Sequence, residues 1–147
     1  MLLVYLDNCA LQRPLDDRTT FRVRAEAEAI ETIIRGVERG VVRLLSSDVL
    51  TAESSAAPDR TRRDFAGEIL ALAYSVVHLT PSVEAQARPY REAGMKAFDA
   101  LHLASAVAGG AEYFCTTDDR FFRKARAANP QTLRVVTPSE LAIALGL

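Results

Sequence analysis

The chain has 147 residues, 49% of them hydrophobic and 25% charged; this is one domain's worth of ordinary globular sequence, and it excludes a disordered or low-complexity chain. The net charge is −1, which excludes a uniformly basic nucleic-acid binder and requires any phosphate-binding charge to be concentrated locally. Cys9 and Cys115 match no zinc spacing, and the first apolar run, Leu2 to Leu6, is too short for a leader core or a membrane span. The expectation is one soluble, cytoplasmic domain over residues 1–147, with no membrane partner.

In chain order, Leu2 to Leu6 reads as a buried strand: short, continuous and apolar. Arg13 to Arg18 is a polar loop with a turn signal, which either flanks a substrate groove or simply joins two elements. Ala25, Ala29, Ile33 and Val37 recur every four residues and predict a helix from Thr19 to Arg39, stopped by Gly40. Val41 to Leu45 is the second strand, and Asp48 is the expected N-cap of a short helix through Glu53. A helix over Asp59 to Tyr74, a strand over Val76 to Leu79 and a helix opened by Pro81-Ser82 follow. Lys96 to Ala108 is an apolar helix ending at Gly109-Gly110, Tyr113 to Cys115 a strand, and Asp118 to Ala127 a helix. Arg134 to Val136 and Pro138 to Leu145 close the chain as strand and helix. Strands alternating with helices imply a parallel sheet covered on both faces, with ligands bound beyond the carboxyl ends of the strands.

Four acids stand out against this frame. Asp7 ends a buried apolar strand, where a charge is costly unless compensated; alone it reads equally as a turn or capping residue. Glu53 alone is an ordinary solvated glutamate. Asp99 sits early in a helix that is apolar nearly all round and therefore needs a partner or a metal. Asp118 and Asp119 follow a strand end and suit helix capping as well as a site. Together, carboxylates at one rim would raise each other's pKa, and a divalent cation relieves that repulsion. Oxygen ligands favour Mg²⁺ or Mn²⁺, ions that serve phosphodiester hydrolysis. There is no glycine-rich phosphate loop and no nucleophilic triad spacing.

The set Tyr5-Leu6-Asp7-Asn8, Ser47 to Glu53, Asp99-Ala100-Leu101-His102-Leu103-Ala104 and Thr116-Thr117-Asp118-Asp119-Arg120-Phe121 resembles the PIN-domain nucleases, most of all the small bacterial VapC-type toxins of toxin–antitoxin pairs. The resemblance implies an α/β/α sandwich around a parallel sheet and a Mg²⁺- or Mn²⁺-dependent endoribonuclease, often dimeric and often held inactive by a cognate antitoxin. It places Asp7, Glu53, Asp99 and Asp118 on the metal-binding, catalytic acids, lets Asp119 assist through water, and gives Asn8 the task of orienting Asp7 or a bound water. Cleavage of RNA by water would leave 5′-phosphate and 3′-hydroxyl ends. Cys9 stands where the family often carries a hydroxyl or amide residue.

The remaining polar residues have two readings each. His102 either supports Asp99 from behind or is a satisfied core histidine; Cys9 is either an oxidation point or an inert thiol. Arg60, Arg62 and Arg63, and Arg120, Arg123, Lys124 and Arg126, are either solvated helix faces or phosphate contacts, with Arg120, Arg123 and Lys124 nearest to Asp118 in sequence. The competing functions are an RNA-processing nuclease of the same fold without an antitoxin, an acidic-pocket phosphotransfer domain, and a silent binding module. The phosphotransfer class wants a lysine late in the chain beside its pocket, and Lys96 and Lys124 are the only lysines.

Overall fold

The computed structural model of the protein describes residues 1–128 and 133–147. Its strands are β1 (Leu3–Leu6), β2 (Arg43–Ser47), β3 (Ser75–Val77), β4 (Tyr113–Cys115) and β5 (Arg134–Val136). They run parallel in the order β3-β2-β1-β4-β5. Among the described residues the helices are α1 (Asn8–Gln12), α2 (Phe21–Glu38), α3 (Asp48–Ser55), α4 (Arg60–Leu70), α5 (Pro81–Glu92), α6 (Ala97–Ala108), α7 (Asp119–Ala128) and α8 (Pro138–Ala144), with a 3-10 turn over Arg13–Leu15.

The period-2 alternation of a strand divides the core in two. Tyr5, Leu45 and Phe114 face one side and pack with Val83 and Ala87 of α5, Leu103 of α6 and Phe121 of α7. Val4, Leu6, Leu44 and Cys115 face the other and pack with Leu11 of α1, Ile30 and Ile33 of α2, Ile69 of α4 and Leu141 of α8. This is the three-layer α/β/α sandwich around a parallel sheet that the sequence implied. The end of α6 approaches β2 and β3 closely: a Cβ at Gly109 would lie 2.5 Å from Leu45 Cδ2 and 2.6 Å from Val77 Cγ2.

Several local expectations are corrected. A first helix, α1, follows β1 where the sequence predicts no element; at five residues it is too short to show periodicity. The Arg13 to Arg18 segment, read as either a groove flank or a connection, is tied down by ion pairs. Arg13 pairs with Asp16 at 3.0 Å and with Glu26 at 2.7 Å, and Arg18 pairs with Glu31 at 3.0 Å. The second strand begins two residues later than expected because Gly40, at φ +75°, turns the chain out of α2. Gly40 N donates to Val37 O and Val41 N to Gly36 O, a Schellman closure that consumes Val41. The strand instead runs on into Ser46 and Ser47, both buried. The helix expected to reach Tyr74 ends at Leu70, and β3 starts earlier and stops at Val77.

The cap of α3 is also corrected. Ser47, not Asp48, is the N-cap: its Oγ accepts from Leu50 N at 3.0 Å. Asp48 turns outward instead, accepting from Leu79 N at 2.9 Å and from the exposed His78 ring.

Candidate active site

The strand order reverses at β1, so the chain leaves β1 and β4 toward different layers and a crevice opens above their carboxyl ends. Asp7 ends β1. Thr116, Thr117 and Asp118 follow β4. Glu53 is carried on α3, directly after β2, and Asp99 lies in the first turn of α6. One cleft of about 370 Å³ is lined by Asp7, Glu53, Asp99 and Asp118 together, with Asn8 and His102 beside them. Four acids that lie far apart in sequence therefore share one cavity.

Each acid is held by its own element. Asp7 is 3% exposed and caps α1; its Oδ1 accepts from Ala10 N at 3.0 Å and from the Cys9 thiol at 3.0 Å. Burial pushes its pKa up, and the hydrogen bonds from Thr116, Ala10 and Cys9 pull it back toward the charged form. Asp7 thus caps α1 and lines the cleft with the same side chain. Asp118 Oδ1 accepts from Phe121 N at 3.0 Å at the start of α7, and Asp118 N donates to Thr116 Oγ1 at 3.1 Å. Glu53 Oε1 accepts from the His102 ring at 3.0 Å. Asp99 has its pKa raised to about 6, first by desolvation and then by the charges of Asp7 and Asp118.

Other residues proposed from the sequence fall differently. Asp119, grouped with the metal-facing acids, turns away from them into a two-pronged pair with Arg22, at 2.8 Å on each oxygen, which holds its pKa down. His102, considered as a support for Asp99, bonds Tyr5 and Glu53 instead, and it is buried. Asn8 lines the cleft, and its Oδ1 is buried without a hydrogen-bond partner. Cys9 has its pKa pushed up to about 12, first by burial and then by the Asp7 charge, so it is a thiol that donates and not a thiolate.

Of the basic residues, Arg120 and Lys124 line a second cavity of about 200 Å³ that shares Lys96, Asp99 and Asp118 with the first. Arg123 is exposed on the same helix and lines neither cavity. Arg126 is spent on Glu140 at 3.0 Å and on the Phe122 ring. The other cluster is structural: Arg60 pairs with Asp64, Arg62 with Asp16, and Arg63 donates to Ala57 O and Pro58 O.

Among the described residues no three His, Cys, Asp or Glu side chains stand close enough to enclose one ion. The donor set nonetheless fits a hard cation of the Mg²⁺ type, which takes one or two carboxylates and completes its shell with water. The unpartnered Asn8 Oδ1 is an acceptor for such a water, and the repulsion by Asp7 and Asp118 that adds to burial in raising the Asp99 pKa is what a cation would relieve.

Sequence reasoning gave Tyr5, Ser47, Lys96 and Thr116 no role in this site. Tyr5 counted as one more core residue of β1, although a buried phenol always needs a partner for its hydroxyl. The Ser46-Ser47 pair at the end of an aliphatic strand was the corresponding signal on β2. Lys96 carried none, because an exposed lysine before a helix is commonplace.

The model of the PIN domain family matches residues 4–127. No curated protein matches the chain in sequence. Among solved structures, VapBC2 from Rickettsia felis, bound to a DNA fragment from their promoter, superposes with a TM-score of 0.63 at 11% identity, covering 92% of this chain and 98% of that one. A Pyrobaculum aerophilum protein superposes with a TM-score of 0.59 at 16% identity, covering 99% of this chain and 90% of its own. At these identities the likeness is one of fold, which agrees with the five-stranded parallel sheet.

Proposed function

The chain belongs to the PIN domain family, whose members are nucleases, and from that premise we propose that it is a Mg²⁺- or Mn²⁺-dependent endoribonuclease, the toxin of a type II toxin–antitoxin pair. The observation that carries the reading is the meeting of Asp7, Glu53, Asp99 and Asp118 in one cleft at the point where the strand order reverses. One or two of these acids would bind the metal directly and the others through its water shell, with Asp119 left to its pairing with Arg22. Bound there, such an ion would supply charge neutralisation at the scissile phosphate and acidify water.

The protein's own groups set the stage for that chemistry. Asp7 is fixed by Ala10 N and the Cys9 thiol, Asp118 by the first turn of α7, and Glu53 by His102. Lys96, Arg120 and Lys124 offer positive charge beside the acids, suited to a polyanion that must approach a negative cleft. In the reaction a water oxygen bonds to phosphorus as the bond from phosphorus to the 3′ oxygen breaks; a rim carboxylate takes the proton lost by the attacking water, and the departing 3′ oxygen takes a proton from solvent water to leave as a hydroxyl. The family match sets aside the acidic-pocket phosphotransfer alternative. The likeness to the Rickettsia felis VapBC2 assembly supports an antitoxin partner, and a homodimer is proposed on the family resemblance alone.

Asp7→Asn tests this reading. Asn keeps an oxygen for Ala10 N and serves about equally as an N-cap, so the fold should survive. The missing charge should cut RNA cleavage in Mg²⁺ or Mn²⁺ by at least about 100-fold, roughly 2.7 kcal/mol of transition-state stabilisation. EDTA should abolish wild-type cleavage. A folded Asp7→Asn protein that cleaves RNA at the wild-type rate would remove Asp7 from the site.

A further inference from the structure

Behind Glu53 lies a continuous buried chain of hydrogen bonds. Ser47 Oγ accepts from Leu50 N at 3.0 Å and lies 2.7 Å from Tyr5 Oη. Tyr5 Oη lies 2.6 Å from His102 Nδ1, and His102 Nε2 lies 3.0 Å from Glu53 Oε1. Tyr5 and Ser47 have no exposed surface, and His102 is 1% exposed. Three elements meet here: β1 supplies Tyr5, the end of β2 supplies Ser47, and α6 supplies His102 three residues after Asp99.

The proton order in this chain follows from counting donors. Ser47 has one hydroxyl proton and Tyr5 has one. If Ser47 donates to Tyr5 and Tyr5 donates to His102 Nδ1, a neutral imidazole carries its proton on Nε2 and donates it to the Glu53 carboxylate. Every group is then satisfied. In the reverse order, with the imidazole still neutral, Nε2 has no proton and two acceptors face each other 3.0 Å apart. The Glu53 carboxylate facing Nε2 therefore fixes the tautomer of the neutral imidazole, and with it the proton order back through Tyr5 to Ser47.

We propose that Ser47, Tyr5 and His102 form a buried relay that fixes the Glu53 carboxylate at the cleft, so that Tyr5 and His102 are positioning residues for the acidic site. Placing Glu53 in working geometry rests on the nuclease reading; the proton order does not. The relay also explains a tyrosine in an otherwise aliphatic strand. Its ring stacks on Phe114 at 5.3 Å, which phenylalanine would do equally well, so packing alone does not require the hydroxyl.

Two measurements test the proposal. Nitrogen-15 NMR of the ring nitrogens, with His78→Gln to assign the only other histidine, should place the His102 proton on Nε2. A proton confined to Nδ1 would overturn the relay whatever the protein's activity. The second is a double-mutant cycle. Tyr5→Phe preserves the ring but leaves Ser47 Oγ and His102 Nδ1 without their buried partner, so it should lower the melting temperature in EDTA modestly while keeping the fold. It should weaken Mn²⁺-induced thermal stabilisation and lower kcat by about 10–100-fold with KM nearly unchanged. In a Glu53→Gln background the same substitution should change neither readout further. Equal losses in both backgrounds would make Tyr5 a general packing residue and overturn the proposal. A wild type that neither binds Mn²⁺ nor cleaves RNA, with the proton on Nε2, would leave the hydrogen-bond order standing and overturn both the nuclease reading and the positioning role built on it.

Discussion

Asp99 concentrates the electrostatic tension of the cleft. Its pKa in the folded chain is raised to about 6 from an ordinary 3.8, so the folded state binds this proton more tightly than the unfolded chain. The stability it contributes is present in full below the unfolded pKa and is lost as pH rises through about 6. Metal-free Asp99→Asn, which cannot ionise, should therefore melt above wild type at pH 7.5, with the gap closing toward pH 4. Full conversion of the shift would give about 3 kcal/mol. Asp99 borders open solvent, and screening reduces the figure to about 1–2 kcal/mol, or roughly 3–6 °C. Thermal melts in EDTA across that pH range check the sign. Adding Mn²⁺ should stabilise wild type more than the variant, because an ion bound only to the folded state acts by mass action. Coincident metal-free melting curves at pH 7.5 would mean that the acids do not repel.

At the scale of elements, the long helices and short apolar strands were legible because burial imposes a period on them. The Asp7 and Asp118 positions were legible because each acid follows a buried strand. What escaped the sequence had no periodic signal or had its cause far along the chain. Helix α1 is barely more than one turn. The true start of β2 depends on how Gly40 closes α2, and the fate of Asp119 on Arg22, 97 positions away. The partner of Glu53 likewise lies on another element. Gly109 is such a long-range constraint, because Leu45 and Val77 leave no room for a Cβ. Gly109→Ala should destabilise the fold by about 1–3 kcal/mol through overpacking. Gly67, inside α4 with nothing within 4 Å of a new Cβ, should respond oppositely, Ala adding about 0.5–1 kcal/mol of helix propensity. Urea unfolding of the two variants compares them directly; equal effects would mean that α6 does not press on β2 and β3.

Over the whole molecule the net charge is −1, yet the proposed substrate is a polyanion, so its path must be set by where the free positive charge lies. Several surface arginines are committed to carboxylates or carbonyls, as Arg60, Arg62, Arg63 and Arg126 are. Lys96, Arg120 and Lys124 instead line the cavity that continues the acidic cleft, with Lys124 Nζ held at 2.6 Å by Gly94 O and keeping two further donors. A strand whose scissile phosphate meets the acids would lay neighbouring phosphates along these three. Binding is best measured in the Asp7→Asn background, where RNA is not consumed. Replacing Arg120 and Lys124 together with Ala should weaken affinity for unrelated single-stranded RNAs alike. It should also lower the slope of log affinity against log salt by about 0.7 for each phosphate that is no longer neutralised. Replacing Arg60 and Arg63 removes the same formal charge from the molecule and should leave that slope unchanged. Equal slopes for both double variants would show that net charge governs the encounter and that the second cavity is not the RNA path.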